Sequence, residues 1–340
     1  MPNYSGVWDL RQQGVALKSG LWQLTLPSNA NMGLFMGRYG SGNGSVTIDY
    51  VDIASGGNAV DFGDISTHAG EAAACSSTTK AFLGGGYDGG SPGTGAGYVN
   101  YIQTSTYSTL GNTSDYGDLT VARYALAACS STTRGIWAGG AGSSSTNVID
   151  YVSLSSAANA TDFGDLGATY RQNFGATSNT TRGCFGGGLY TSTSNVIDYI
   201  TIGSTGNVTD FGDLASATSY LGVGIAASST RGLFMGGNAS SSSINVIQYI
   251  TIGSTGNATD FGDLVSPIER NATTSNATKA VSGGGYDSTN TDTTAGSAPY
   301  GIKVDVVTIA STGNATDFGD LTERGRAGTA ACGGQGGLTA

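Results

Sequence analysis

Short hydrophobic blocks alternate with polar and glycine-rich blocks along most of this chain, and they recur in one order. Each repeat has a small apolar segment (as at 123–133), an apolar segment ending in glycines (134–140), an alternating segment (195–202) and a closing segment (160–166). All four are of strand length, rich in β-branched and aromatic residues, and bounded by Gly, Asn and Ser turns. The third segment alternates with period 2, and the repeats show no helical period. The pattern therefore predicts four antiparallel strands per repeat.

The closing segment contains a five-residue phrase: Asp, an aromatic residue, Gly, Asp, and Leu or Ile. Its six copies are about 51 residues apart on average and begin at Asp61, Asp115, Asp162, Asp210, Asp260 and Asp317. A repeat of about 50 residues is typical of a propeller blade. Six copies of each strand type predict an all-β fold, a six-bladed β-propeller of four-stranded blades.

The two ends of the repeat region predict how the ring closes. The repeats begin at a second strand near Gly33, and they end at a first strand, residues 326–334. We therefore expect the C-terminal strand to complete the first blade, because closure removes exposed strand edges. The alternative closing strand contains Trp22, Leu24 and Leu26.

The repeat resembles the kelch family. The second strand ends in Gly-Gly at 139–140, 187–188 and 236–237, and the third strand contains a Tyr at positions 50, 101, 151, 199 and 249. The Trp usual in that family is replaced by Phe62, Tyr116, Phe163, Phe211, Phe261 and Phe318. The resemblance covers residues 33–334 and implies a kelch-like propeller over 33–340 whose function lies in its loops.

Residues 1–32 lie outside the repeats and are predicted to be an attachment or capping segment. Ser5 can cap a short helix that ends at Gly20. The opening residues 3–10, NYSGVWDL, resemble the start of many tailed-phage virion proteins, and the repeats resemble those of marine phage structural proteins. The resemblance implies a virion protein of the tail, tail fibre or capsid. Such a protein is made in the host cytoplasm and would contact other virion proteins through residues 1–32.

Composition narrows the expected partners. Charged residues make up only 11% of the chain, against roughly 25% in a typical soluble protein. The net charge is −10, and no basic stripe exists, so nucleic acid is not an expected partner. No run of 18 apolar residues appears, so membrane insertion is not expected. The N-terminus lacks the pattern of a secretory signal.

Candidate enzyme chemistry is sparse. Cys75, Cys129 and Cys332 share one repeat position that elsewhere holds Thr or Ala, which indicates small buried side chains. The only histidine is His68, so a multi-histidine metal site is excluded and no cofactor is expected.

The Asp-aromatic-Gly-Asp phrase lacks the other kinase motifs and the dense ligand run of a calcium loop. We interpret it as a strand followed by an Asx-type turn. The enzymatic alternative is a pair of loop carboxylates that hydrolyses a polysaccharide.

Two further repeated features have a structural and a functional interpretation. A basic residue opens the second strand in five repeats, at Lys80, Arg134, Arg182, Arg231 and Lys279. We interpret these residues as a solvated rim on one face, the alternative being a docking ring for an acidic partner. Asn-X-Thr tripeptides match the glycosylation pattern, but we interpret most of them as turns in which Asn takes a positive φ.

Recognition is predicted in the irregular loops. Loops between second and third strands, and between fourth and first strands, should emerge on one face, and the former are longest at 87–97 and 286–301. Variable loops on a rigid scaffold concentrate binding residues, and Tyr, Ser, Gly and Asn are typical of paratopes. The candidates are Tyr87, Asp88, Tyr190, Tyr286, Asp287, Asp292 and Tyr300, extended by Tyr124, Tyr170 and Tyr220.

These observations predict a non-enzymatic virion protein that binds host surface glycan or another virion protein. The alternatives are a polysaccharide-degrading enzyme and a purely structural decoration protein of the capsid or tail.

Overall fold

The computed structural model describes residues 26–39, 44–88, 97–143, 146–167, 170–287, 300–326 and 328–338. Within these residues the strands, in chain order, are β1 (Met32–Met36), β2 (Thr47–Asp52), β3 (Val60–Asp64), β4 (Ala73–Ser76), β5 (Lys80–Gly84), β6 (Tyr101–Thr106), β7 (Ser114–Asp118), β8 (Ala127–Ser130), β9 (Arg134–Ala138), β10 (Val148–Ser153), β11 (Thr161–Asp165), β12 (Gly175–Ser178), β13 (Arg182–Gly186), β14 (Val196–Thr201), β15 (Thr209–Asp213), β16 (Arg231–Met235), β17 (Asn238–Ala239), β18 (Ser242–Ser243), β19 (Val246–Thr251), β20 (Thr259–Asp263), β21 (Ala272–Ser275), β22 (Lys279–Gly283), β23 (Lys303–Thr308), β24 (Thr316–Asp320) and β25 (Thr329–Cys332). A single 3-10 turn, Gln335–Gly337, follows β25.

The strands form six antiparallel blades, which confirms the predicted six-bladed β-propeller. Blades 2, 3, 4 and 6 each contain four consecutive strands: β4–β7, β8–β11, β12–β15 and β21–β24. Blade 5 contains β16, β19 and β20, and its innermost segment is joined to β16 by the bridge between Ala227 and Gly232. The hairpin β17–β18 projects from one of its loops.

Ring closure follows the first of the two predicted schemes. Blade 1 has the strand order β25-β1-β2-β3, and β25 pairs antiparallel with β1 from Gly33–Cys332 to Met36–Thr329. Leu26 packs against the core of this blade instead of forming a strand. Trp22, Leu24 and the predicted helix between Ser5 and Gly20 lie outside the described residues.

The centre of the ring is packed by small side chains. The innermost strands read AACS, AACS, GATS, ATTS and TAAC, which lets the blades approach closely. The Ser130 hydroxyl donates to the Ser76 carbonyl (2.8 Å), and the Ser76 hydroxyl donates to the Cys332 carbonyl (2.8 Å). The innermost segment of blade 5 reaches across the ring, where Gly224 bridges to Ala330 of blade 1. The centre is therefore a packed core.

The Asp-aromatic-Gly-Asp phrase forms the outermost strand of each blade, and its aromatic residue is the extra residue of a bulge in that strand. The predicted Asx-type turn does not form in blade 4, because the Ala215 N–H, two residues after Asp213, donates to Gln248 Oε1. The second Asp of the phrase ends the strand, and its backbone N–H donates to an Asn side chain of the next blade. In blade 3 the Asp165 N–H donates to Asn207 Oδ1 over 3.0 Å. The glycine of the phrase is required because a Cβ at Gly164 would lie 2.4 Å from the Gly206 carbonyl oxygen.

The turn asparagines therefore have a different role from the one predicted. In these turns the preceding glycine has the positive φ, as at Gly206 (φ +153°) and Gly256 (φ +151°), while Asn207 and Asn257 do not. Their side chains accept hydrogen bonds that join neighbouring blades. The contact closes the ring as well, since the Asp320 N–H of blade 6 donates to Asn58 Oδ1 of blade 1.

Four of the five basic residues that open the second strands, Arg134, Arg182, Arg231 and Lys279, also join blades, so these four do not form a simple solvated rim. The Arg182 guanidinium donates to the Ile252 carbonyl of the next blade over 2.9 Å and lies 4.2 Å from the centre of the Tyr199 ring. Arg134 and Arg231 repeat this arrangement. Each cation is therefore held between an aromatic ring and a carbonyl oxygen.

All four cysteines are free and buried, as their interchange with Thr and Ala predicts. Burial raises the pKa of the Cys184 thiol to about 12. A thiol with so high a pKa forms little thiolate at neutral pH and is chemically inert.

Candidate functional site

The predicted loops do emerge together. We call the surface where they meet the loop face; it is formed by the loops that join second to third strands and fourth to first strands. Its loops are joined in pairs by antiparallel bridges: Gly70 with Tyr87, Tyr124 with Ala141, Gln172 with Leu189, Ser219 with Asn238, Glu269 with Tyr286, and Tyr39 with Arg326. These bridges join the bases of the loops to one another, which fixes their positions on the loop face.

The first tyrosine cluster lies over blades 2 and 3. The ring centres of Tyr87 and Tyr124 are 5.9 Å apart, and both contact Tyr98, which stacks on Tyr124 at 5.4 Å with nearly parallel planes. Tyr87 is buried, whereas Tyr98 is 40% exposed. The cluster therefore presents an exposed ring on a buried aromatic base, with Asp88 half-buried beside it.

Two further tyrosine pairs lie on the loop face. Tyr170 and Tyr190 meet edge to face with ring centres 4.6 Å apart, and Tyr190 is 39% exposed. Tyr286 and Tyr300 are 6.0 Å apart, with the Arg326 guanidinium 5.3 Å from one ring centre and 5.4 Å from the other. Aromatic pairs in this geometry stabilise each other by about 0.5–1.5 kcal/mol beyond the area they bury.

The centre of the loop face is a ring of residues with left-handed backbone. Their φ values lie between +53° and +56°, at Glu71, Ala125, Asn173, Tyr220 and Arg270. Each is hydrogen-bonded to the next through its backbone, as from the Asn173 N–H to the Ala125 carbonyl (2.9 Å). Non-glycine residues adopt this conformation at a cost and often do so at functional sites.

Side chains of this central ring form a charged cluster. Arg270 lies over the Tyr220 ring at 4.1 Å and forms an ion pair with Glu71 at 3.0 Å. Burial raises the pKa of Glu71, and the neighbouring Arg270 opposes that rise. Tyr220 is the predicted candidate that this cluster contains.

His68 lies at the edge of the loop face and contacts Tyr39 edge to face, with ring centres 5.4 Å apart. Burial lowers the pKa of His68, and Asp88 opposes this effect.

Among the residues that the structure describes, no three His, Cys, Asp or Glu side chains converge as metal ligands would. No described helix is long and apolar enough to cross a membrane.

The structure thus brings six of the seven predicted tyrosines together in pairs and places Tyr220 against Arg270, while Asp292 lies outside the described residues. Asp287 is half-buried at the base of the loop in blade 6. Sequence reasoning missed Tyr98, Glu71, Arg270 and Arg326. Tyr98 follows the loop predicted at 87–97 by one residue, so a wider loop boundary would have included it. The other three carry no sequence signal, because only the fold brings Glu71 and Arg270 to the central ring and Arg326 to the Tyr286–Tyr300 pair.

No family model matches this chain and no curated protein matches it, so the kelch and phage resemblances stay expectations from the sequence.

Proposed function

We propose that this protein is a non-enzymatic binding protein of a phage virion, which uses the loop face to hold host surface glycan or another virion protein. The observation that supports binding is the set of tyrosine clusters on a closed, rigid scaffold. Tyrosine rings offer a broad apolar surface with a polar edge and lose little conformational freedom on binding. The apolar faces of sugar rings stack on such surfaces.

The virion assignment rests on the sequence. It is supported by the resemblance of residues 3–10 and of the repeats to phage structural proteins. Salt screens exposed charges that are more than about 8–10 Å apart at physiological ionic strength, but it leaves apolar stacking largely intact. The low content of charged residues is therefore consistent with binding at high salt concentration.

Retention on host-envelope polysaccharide tests the binding role. We expect the intact chain to be retained without releasing new reducing ends, and Tyr98→Ala and Tyr190→Ala to weaken retention about tenfold each, equivalent to about 1.4 kcal/mol. Tyr101→Ala is the matched control, because Tyr101 is 43% exposed and takes part in none of the ring contacts between described residues. New reducing ends would contradict the proposal and indicate an enzyme.

Electron microscopy of particles labelled with an antibody against the chain tests the virion role. Labelling at the tail, fibre or capsid supports it, and unlabelled particles from cells that make the protein contradict it. Labelled particles without polysaccharide retention would indicate a structural decoration protein.

A further inference from the structure

One position in the third strand of every blade holds a polar side chain between the blades near the loop face. These residues are Asp49, Gln103, Asp150, Asp198, Gln248 and Asp305. Their different partners separate the blades into three groups.

In blades 1, 3 and 4 the residue is Asp, and an arginine neutralises it. Asp150 and Arg123 are both fully buried, and their charged atoms are 2.9 Å apart. Asp198 pairs with Arg171 at 2.6 Å. Arg123 and Arg171 both come from the loop that enters the blade.

Blade 1 obtains its arginine from a different loop. Gly325 occupies the position that corresponds to Arg123, and Arg38 fills the space, with its Cβ 2.8 Å from where a Cβ on Gly325 would lie. Arg38 reaches Asp49 at 2.8 Å. The arginine of this ion pair therefore comes from the entering loop in blades 3 and 4 and from the loop after β1 in blade 1.

In blades 2 and 5 the residue is Gln, and the arginine position holds Ala69 or Thr218. The neutral amide needs no counter-charge. Gln103 accepts hydrogen bonds from the Ser66 and Thr113 hydroxyls, both 2.8 Å, and Gln248 accepts one from the Ala215 N–H at 2.6 Å. In these five blades a buried carboxylate occurs with an arginine and an amide occurs without one.

Blade 6 breaks this rule. Asp305 is 8% exposed, and its Oδ2 accepts the Val265 N–H over 3.0 Å. Its Oδ1 is buried without a hydrogen-bond partner among the described residues. In blade 3, Thr120 and Arg123 supply side-chain donors to Asp150. The corresponding residues in blade 6 are Val265 and Ile268, which have none.

A cavity of about 320 Å³ lies at this point, lined by Asp305, Ile268, Ser282, Tyr300, Lys303 and Arg324 among others. None of the ion pairs between described residues includes Asp305. The nearby loop includes residues 288–299, which lie outside the described residues and contain no Lys or Arg. That segment cannot supply the missing cation.

We propose that this cavity in blade 6 is a binding site for a guanidinium group from outside the chain, such as an arginine side chain of a partner protein, with Asp305 as its counter-ion. The three related blades show that a guanidinium fits against this carboxylate. A planar guanidinium can donate two hydrogen bonds to one carboxylate. Asp287 also lines the cavity, so its lining contains two carboxylates and two cationic side chains, Lys303 and Arg324. This site adjoins the Tyr286–Tyr300 pair, because Tyr300 lines the cavity, and it does not rest on the proposed function.

Calorimetric titration of the full chain with methylguanidinium at low salt tests the site. We expect saturable binding with one site per chain. Asp305→Asn should weaken it at least about tenfold by removing the counter-ion, and Ile268→Arg should abolish it by placing an internal guanidinium in the cavity. Ile268→Leu is the matched control and should bind as the natural chain does. Methylammonium should bind more weakly, because it lacks the planar pair of donors.

Equal binding by the natural chain and Asp305→Asn, or no saturable binding by the natural chain, would overturn the proposal. Binding that appears only after Arg11→Ala and Lys18→Ala would also overturn it, because the occupant would then be the chain's own N-terminal segment. Asp305→Asn keeps the size of the side chain, so it tests the site even where Ile268→Arg does not fold.

Discussion

At the scale of single residues, the polar position in the third strand is occupied in two main ways, by an aspartate paired with an arginine or by a hydrogen-bonded glutamine. Burial lowers the pKa of Arg123 and of Arg171, and the paired aspartate in each case opposes that shift. Burial also raises the pKa of Asp305, and there the Val265 N–H and Lys303, instead of an arginine, oppose the rise. A buried carboxylate without a partner is costly, whereas a hydrogen-bonded amide in the same place is not. In five of the six blades, the presence of an arginine within reach, from the entering loop or at Arg38, therefore accompanies Asp in the third strand, and its absence accompanies Gln.

This dependence predicts the outcome of exchanging one blade's pair for another's. Arg123→Ala should lower the free energy of unfolding by about 3–5 kcal/mol, because it leaves Asp150 buried and unpaired. Adding Asp150→Gln recreates the combination of Ala69 and Gln103 in blade 2, so most of the loss should be recovered. Urea unfolding of the single and double variants measures both effects. A double variant that is less stable than Arg123→Ala would contradict the rule.

At the scale of the element, the outermost strand is where blades contact each other. Its aromatic residue is buried in five copies, at Phe62, Tyr116, Phe163, Phe211 and Phe261. Its glycine allows the next blade's turn to approach, and its last N–H is bound by that blade's asparagine. The aromatic residue of the phrase therefore packs between blades, its glycine sets their distance, and its last N–H links them. These three roles explain why the phrase recurs so regularly.

The glycine in this strand should be intolerant of any side chain. Gly164→Ala should destabilise the protein by about 1–3 kcal/mol, because Gly164 has φ +148° and the new Cβ would meet the Gly206 carbonyl. Gly203→Ala is the control: nothing lies within 4 Å of its Cβ position, and the change should stay within about 0.5 kcal/mol. Thermal unfolding distinguishes the two. Equal melting temperatures would show that the next blade yields without cost.

The strands could be predicted from sequence, but their partners across blades could not. Alternation, glycines and turn residues are local signals, so the order of four strands in each repeat followed from them. Arg182 looked like an exposed rim residue because its carbonyl partner, Ile252, is 70 residues away. The same distance in sequence hid the asparagine contacts, since nothing in a turn tripeptide indicates which backbone N–H it will meet.

At the scale of the whole molecule, closure makes the blades one cooperative unit. The first blade is complete only when β25 joins β1, and the turn after β25 is tied to blade 5 by a hydrogen bond from the Gly336 N–H to the Ala227 carbonyl (2.9 Å). The chain's end therefore contacts both sides of the ring. Neither the first nor the last blade can cover its exposed faces without this strand.

Removal of the closing strand should unfold the entire propeller. Deleting residues 325–340 removes β25 and the 3-10 turn, so we expect a single transition at a much lower temperature or no folded protein. Deleting only residues 339–340 is the control, because it leaves both elements in place. Differential scanning calorimetry measures the transitions. An unchanged melting temperature after the longer deletion would contradict closure by β25.

The sequence by itself determined the number of blades, the order of strands, the closing segment and the face on which the long loops meet. These properties depend on local periodicity and on counting repeats, both of which are visible in the chain. The tertiary structure alone decided which charges meet. Arg38 and Arg123 reach equivalent aspartates from different loops, and Asp305 has no arginine partner because Ile268 occupies the position that corresponds to Arg123. Such pairing depends on side chains brought together from separate segments, so no local pattern encodes it.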